Sequence, residues 1–184
     1  TTAKLADSSV TTAKLNDASV SLAKLTATGT KDATTFLRGD NSFAAAGGGK
    51  INQVLQVVTN SQLDLNSSTS FVDFTGMTLS ITPSATSSKI LIMADVSFSL
   101  TVADRGFQLQ ILRDSTVVFA GGNNKSTYAS NSRVDGRNCY LELDEPSSTS
   151  SLTYKIQSQN DSGGSVRFNQ GGSRSSIVLM EVLA

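Results

Sequence analysis

The chain has 184 residues and a formal net charge of zero, and only 16% of its residues are charged. This length has room for one domain of ordinary size and an appendage. The balanced charge excludes the basic surface by which proteins bind nucleic acid or an anionic membrane. Because the chain contains no histidine, it lacks the commonest general base and the commonest metal ligand. We therefore expect neither an enzyme nor a cofactor, a metal ion or catalytic residues.

The first element along the chain is a ten-residue repeat at residues 1–30, which reads TTAKLADSSV, TTAKLNDASV and SLAKLTATGT. Its large apolar residues recur every five positions, a spacing that fits neither a strand, nor a helix, nor a coiled coil. A unit this short orders only by stacking on neighbours or by winding around identical chains. The alternative is a disordered tail that happens to repeat. We predict an extended, trimeric shaft held together by Leu5, Val10, Leu15, Val20 and Leu25.

Residues 31–49 form a connector without periodicity. It ends in the glycines Gly47–Gly49, which predict a flexible joint between the shaft and the rest of the chain. The tripeptide Arg38-Gly39-Asp40 matches the integrin-binding motif, but three residues recur often by chance. We interpret it as a turn in which glycine supplies the backbone freedom.

From residue 50 onward the pattern is that of short strands separated by turns. In Lys89–Leu100, for example, Ile90 and Ile92 alternate with Leu91 and Met93. About ten such segments predict an antiparallel β-sandwich of jelly-roll type for residues 50–184, which we call the head. The candidates are Ile51–Val58, Ser70–Phe74, Met77–Thr82, Lys89–Leu100, Phe107–Ile111, Val117–Ala120, Cys139–Leu143, Leu152–Ile156, Val166–Phe168 and Ile177–Leu183.

Four features of the head lead to specific expectations. Thr75–Gly76 is predicted to separate two strands, and Asp161–Gly163 to close a hairpin between two others. Cys139 is the only cysteine, and we expect it to be a small core residue. The segment Ile177–Leu183 is apolar on both faces. It should therefore lie in the middle of a sheet or against another subunit.

The sequence resembles the tail fibres of tailed bacteriophages. The resemblance rests on the decapeptides of Thr1–Leu25, the TFLRGD segment of Thr35–Phe43 and the ITPSATSSKILIM run of Ile81–Met93. That last run, with LRDST at Leu112–Thr116 and SSIVLMEV near the carboxyl end, is similar to the distal domains of fibres from marine cyanobacterial phages. One departure is that Asn41, Ser42 and Phe43 stand where the family has Gly, Thr and Trp; Phe43 keeps the aromatic character.

The resemblance implies a homotrimeric virion tail fibre whose distal head binds a bacterial cell-surface receptor for host attachment. The receptor would be a polysaccharide or an outer-membrane protein, and the other partners would be virion tail proteins. It further implies assembly in the cytoplasm of the host bacterium and a final location in the virion, without nucleic-acid binding or membrane insertion. Because the sequence begins inside a repeat and without Met, we expect it to be the carboxyl-terminal piece of a longer protein.

The polar stretch 121–138 is the best candidate for receptor contact, because binding residues concentrate in loops on rigid β scaffolds. Tyrosine and arginine supply stacking and bidentate hydrogen bonds, and asparagine supplies donors and acceptors, a combination suited to sugars. The alternative is an ordinary surface loop. The candidate residues are Asn123, Asn124, Lys125, Tyr128, Asn131, Arg133 and Arg137.

Two other functions remain open. The chain could be a purely structural virion component, a capsid fibre or a tail adaptor, that never contacts a receptor. It could also be a depolymerase of envelope polysaccharide, which needs a pair of carboxylates such as Glu142 and Asp144. The lack of histidine and the short head count against a depolymerase.

Overall fold

The computed structural model describes residues 9–11, 26–30, 32–33, 35–45, 50–66, 70–100, 105–121, 127–129, 133–160 and 165–184. These residues belong to two compact units, Thr1–Gly49 and Lys50–Ala184. Every described strand pair is antiparallel, apart from one isolated parallel bridge between Thr28 and Ser42. The predicted all-β class, with an antiparallel sandwich in the head, is therefore confirmed.

The first unit contains a short hairpin of β1 (Thr35–Leu37) and β2 (Phe43–Ala45). Its turn is closed by the Asn41 amide, which donates to the Arg38 carbonyl at 3.1 Å. The Asp40 carboxylate accepts bonds from the amide and hydroxyl of Ser42 at 3.1 and 2.6 Å. The tripeptide Arg38-Gly39-Asp40 thus lies in a turn whose conformation is fixed by local hydrogen bonds. The left-handed residue of this turn is Asn41, at a φ of 58°, and not Gly39.

The predicted shaft falls almost wholly outside the described residues. Val10 is the one predicted shaft residue that the structure describes, and it is half exposed. The predicted joint at Gly47–Gly49 also lies outside the described residues. So do the other four shaft residues, Leu5, Leu15, Val20 and Leu25.

One sheet of the head is built around β6 (Lys89–Leu100). One edge of β6 pairs along its length with β10 (Val134–Asp144). The opposite edge is shared: β13 (Ser175–Val182) occupies the first half and β12 (Ser165–Phe168) the second. Beyond them lie β3 (Ile51–Thr59), next to β13, and β4 (Leu63–Asn66), next to β12.

The second sheet has the order β5 (Val72–Ile81), β11 (Leu152–Asn160), β7 (Arg105–Arg113), followed by β8 (Thr116–Ala120). The short β9 (Thr127–Ala129) pairs with the first residues of β7. A turn containing Asp114, at a φ of 52°, joins β7 to β8. Aspartate suits this position because it tolerates the left-handed conformation better than most residues.

The core lies between the two sheets and follows the predicted alternation. Ile90, Ile92 and Ala94 of β6 are fully buried, and the intervening Leu91 and Met93 are only partly buried. Four phenylalanines form the centre of one half of the core, with ring centroids 5.0 to 5.2 Å apart. They are Phe74, Phe98, Phe107 and Phe168.

The structure corrects several of the sequence predictions. Thr75–Gly76 does not separate two strands; it forms a bulge within β5, where Gly76 has a φ of 82°. The predicted hairpin across Asp161–Gly163 is wrong, because β11 and β12 belong to different sheets. Cys139 is exposed and not a core residue. The reason is the alternation of β10, which turns Tyr140 inward to pack against Phe119 with centroids 5.6 Å apart.

The stretch 121–138 is not one loop, because it contains β9 and the beginning of β10. Strands β1, β2 and β4 were not predicted either. Each has only three or four residues, which is too short for an alternating pattern to be recognised. The segment Ile177–Leu183 does lie in the middle of a sheet, since β13 pairs with both β3 and β6.

Candidate functional site

A half-open cleft of about 430 Å³ lies on the outer surface of the first sheet. We call it the polar cleft. It is formed where β6 and β10 run side by side and a single 3₁₀ turn, Gln170–Gly172, rises next to them. Its lining residues are Ser97, Phe98, Ser99, Arg133, Asp135, Gly136, Arg137, Gln170 and Ser173.

Strand alternation explains the polar wall of this cleft. Arg133, Asp135 and Arg137 are separated by two positions each, so they lie on the same face. The register then places Asp135 opposite Ser99 and Arg137 opposite Ser97. A row of charged side chains therefore runs beside a row of hydroxyl groups.

Each guanidinium of the wall is oriented by a carboxylate. The Arg133 Nε donates to both oxygens of Asp135 at 3.0 and 2.9 Å. Arg137 donates through two nitrogens to Asp95. These pairs are about half exposed, so each adds little to stability. Their effect is to fix the direction in which the two guanidinium groups point.

The surroundings of Asp135 and Arg137 favour the charged form of each. The Ser99 hydroxyl and the Arg133 guanidinium hold the pKa of Asp135 below its usual value. The hydrogen bonds that Arg137 donates to Asp95 raise the pKa of Arg137. The polar cleft therefore presents cations and an anion side by side near neutral pH.

A network of hydrogen bonds around Asn169 holds the opposite wall of the polar cleft in place. Its amide nitrogen donates to the carbonyls of Thr59 and Ser61 at 3.3 and 3.1 Å, and its oxygen accepts from Ser175 at 2.7 Å. Asn169 is buried and adopts a φ of 55°, a conformation that asparagine tolerates better than most residues. This anchor sets the position of the 3₁₀ turn above β6.

Gln170 brings an unusual feature to this wall. Its Oε1 is buried and has no hydrogen-bond partner in the described part of the structure. Its neighbour Ser173 is fully engaged, with its hydroxyl donating to the Gln170 carbonyl and accepting from the Ser97 hydroxyl, both at 2.9 Å. A buried acceptor without a donor requires an explanation, and a donor supplied by a bound ligand or water is one.

The base of the polar cleft depends on Gly136. A Cβ at this position would lie 2.7 Å from the Cζ of Phe98. The Phe98 ring in turn packs against Phe107, with centroids 5.2 Å apart. The glycine therefore lets an aromatic ring of the core approach the backbone of β10 directly beneath the charged row.

The structure brings together only part of the residue set predicted from the sequence. Arg133 and Arg137 both line the polar cleft. Tyr128 lies in β9 of the other sheet, opposite Gly106 of β7. Four predicted residues lie outside the described part of the chain: Asn123, Asn124, Lys125 and Asn131.

Several residues of the cleft were missed by sequence reasoning. Asp135 could have been found, because the spacing of RVDGR places it between two arginines on one strand face. Ser97 and Ser99 follow the same alternation on β6. Gln170 and Ser173 carry no such signal, because the long-range pairing of β12 and β13 with β6 brings them to the cleft.

Two other features of the described residues bear on function. No group of three or more His, Cys, Asp or Glu side chains there is arranged to hold a metal ion. Within the same residues, no helix has the length and apolar character needed to cross a bilayer.

No protein-family model and no curated protein matches the sequence. Among solved structures, the chain is similar to the VP2 subviral particle of infectious bursal disease virus, with 13% identity and a TM-score of 0.43. This match covers 78% of the chain and 39% of the viral one. The Gt and Gx strain structures of the same virus give TM-scores of 0.45 at 12% and 14% identity.

In the strain structures the match covers 77% of this chain and 40% or 39% of the viral chain. The chain therefore spans about two fifths of the length of these viral proteins. The function of this chain therefore has to be argued from its own residues.

Proposed function

We propose that this chain is the distal part of a homotrimeric virion tail fibre and that its head attaches the virion to a bacterial surface. The repeat of residues 1–30 and the fibre-like segments of the sequence support the fibre. The polar cleft supports the attachment role. Its volume of about 430 Å³ lies within the range of small-ligand sites.

The observation that carries the binding proposal is the arrangement of donors and acceptors around one concavity. The guanidinium groups of Arg133 and Arg137 stand beside the Asp135 carboxylate, and the buried Gln170 Oε1 lines the same cleft without a partner among the described residues. A sugar offers hydroxyls that both donate and accept, and acidic sugars add a carboxylate that pairs with arginine. We therefore propose a surface polysaccharide as the receptor.

Multiplicity would strengthen such a contact. A half-open polar cleft exchanges bonds with water for bonds with ligand, so a single site binds weakly. Three copies on one fibre convert later contacts into intramolecular ones, which raises the overall affinity without new contacts. A polymeric receptor repeats the same chemical unit, so it allows attachment through several weak contacts.

Binding of the fluorescently labelled full chain to purified lipopolysaccharide and to cells of marine cyanobacterial strains tests the proposal. We expect at least one strain to bind. The double variant Arg133→Ala/Arg137→Ala should weaken that binding at least tenfold. Arg174→Ala is the matched control, because Arg174 is exposed and lines a separate groove with Val58 and Asn60.

Each other outcome points to a different site or a different function. Binding that is equal in the double variant and the wild type would place the receptor site outside the polar cleft. If no strain binds, the result favours the alternative of a structural component without receptor contact. Release of reducing sugar from the lipopolysaccharide, abolished by Glu142→Gln, would identify a depolymerase.

A further inference from the structure

The outer surface of the first sheet is largely apolar over the half that the polar cleft does not occupy, with Gln56 of β3 as a polar exception. We call it the outer apolar face. The side chains of its two edge strands are strongly exposed: 46%, 55% and 47% on β3 and 61% and 46% on β10. These residues are Ile51, Val54, Val58, Leu141 and Leu143.

The apolar character continues across the middle of the sheet. The register of β10, β6, β13 and β3 brings one side chain of each strand into a single row. A solvent-facing sheet surface normally carries polar residues on its outward side. Here the whole row is apolar: Leu143, Leu91, Met180 and Val54.

The size of this surface exceeds what isolated apolar residues would explain. Four strands about 4.8 Å apart, each contributing about six residues at 3.3 Å, cover on the order of 400 Å². Apolar patches of a few hundred Å² or more on soluble proteins mark interaction sites. The outer apolar face therefore has the area and composition of the centre of an interface.

We infer that the outer apolar face is where the heads of identical copies pack against one another. The inference rests on the trimeric assembly of the proposed function, but not on receptor binding. In the proposed fibre the repeat of residues 1–30 winds around identical copies, so identical chains would enter the head side by side. The head begins with β3, an edge strand of this face, only two residues after Gly49.

Charge also favours an identical copy as the partner. The exposed charges that flank the face are already paired, Arg137 with Asp95 at one end and Lys89 with Glu145 at the other. A second copy would therefore meet no uncompensated like charge at these positions. Among the described strands, β3 and β10 each pair with a single neighbour, so both apolar edges remain accessible to another head.

Cys139 provides a natural probe of this surface. It lies on the same side of β10 as Leu141 and is exposed in the single chain. Being the only cysteine, it can be followed without engineering. Packing of identical heads would cover it, and the rate of its alkylation by N-ethylmaleimide would fall.

The test compares that rate in the native full chain with the rate in urea, and measures the mass by sedimentation. We expect a mass of three chains and alkylation at least tenfold slower than in the unfolded chain. Leu141→Glu and Val54→Glu should each restore fast alkylation. Val117→Glu should not, because Val117 is also an exposed apolar residue, at 47%, but lies on β8 of the other sheet.

Fast alkylation of the native wild-type chain would overturn the inference. If the mass then corresponds to three chains, the trimer of the proposed function stands and the shaft alone holds it. If the mass is that of one chain, both the trimer and the packed face are wrong. The wild-type comparison does not depend on whether any variant folds.

Discussion

Tyr154 donates a hydrogen bond of 2.6 Å to Oδ2 of Asp144 although the two residues belong to different sheets of the head. The same carboxylate accepts two bonds from the Arg113 Nη1 at 2.7 and 2.8 Å. Burial and the bond to Asp144 raise the pKa of the Tyr154 phenol. One carboxylate at the end of β10 therefore joins the edge of the first sheet to β7 and β11 of the second.

Removing this bond should weaken the head without changing its fold. Tyr154→Phe deletes one hydrogen bond and should lower the free energy of unfolding by about 1 kcal/mol. Asp144→Asn should cost more, about 2 kcal/mol, because it leaves the partly buried Arg113 without its counter-charge. Urea unfolding at equal protein concentration measures both. A stability of Asp144→Asn equal to wild type would contradict the role assigned to this carboxylate.

The position of Asp144 also bears on the depolymerase alternative. Both of its oxygens are engaged by Arg113 and Tyr154, so the carboxylate serves as a brace between the sheets. Nothing in the sequence distinguishes this role from that of a catalytic acid. The pairing depends on β10 and β11, which are adjacent along the chain but lie in different sheets.

Stability should fall in acid through Glu181, which is fully buried. Burial opposes its ionisation, but hydrogen bonds from the Ser84 amide and hydroxyl and from the amides of Asn52 and Gln53 outweigh this. They hold the pKa of Glu181 far below its ordinary 4.5. Because the folded-state pKa is depressed, the stabilisation is complete above about pH 4.5 and is lost as the pH falls below that value.

Glu181→Gln tests this pH dependence. The variant should be less stable than wild type at pH 7, since a neutral amide loses the charge-assisted bonds and brings a donor next to donors. Its stability should change less than that of wild type between about pH 5 and pH 3. Glu145→Gln is the control, because Glu145 is exposed on the surface. Parallel pH curves for wild type and Glu181→Gln would refute the assignment.

Strand interiors could be predicted from the sequence, but the pairing of strands could not. The bounds of Lys89–Leu100 match the structure because the alternation of Ile90 and Ile92 with less buried positions is local. Whether β12 pairs with β11 or with β6 depends on contacts between residues such as Phe168 and Phe98. Such contacts are distant in sequence and leave no local pattern, which is why the hairpin at Asp161–Gly163 was predicted wrongly.

The same reason limits the candidate site. Arg133 and Arg137 were found because their residue types suggest binding, whereas Gln170 reaches the polar cleft only through the packing of a 3₁₀ turn beside β6. Cys139 illustrates a different error, because a residue predicted to lie in the core lies on the surface. A cysteine between Asn138 and Tyr140 gives no indication of which face it occupies until the inward side of Tyr140 is known.

Gly76 and Gly171 offer a matched pair of substitutions. Both have positive φ values, 82° and 67°, so alanine is strained at either position by about 1 kcal/mol. A Cβ on Gly76 would in addition lie 2.6 Å from Oγ1 of Thr59, whereas at Gly171 there is nothing within 4 Å. Gly76→Ala should therefore be the more destabilising in urea unfolding. If the two variants lose the same free energy of unfolding, the side chain of Thr59 moves aside without cost.

Gly136→Ala should both destabilise the head and alter the polar cleft. The new Cβ would lie 2.7 Å from the Phe98 ring, and overpacking of this kind costs about 1–3 kcal/mol. The double variant Gly136→Ala/Phe98→Leu should recover part of that loss, because the smaller side chain leaves room for the methyl group. A double-mutant cycle in urea measures the coupling. If the two substitutions change the free energy of unfolding additively, the position of the Phe98 ring does not depend on the absence of a side chain at Gly136.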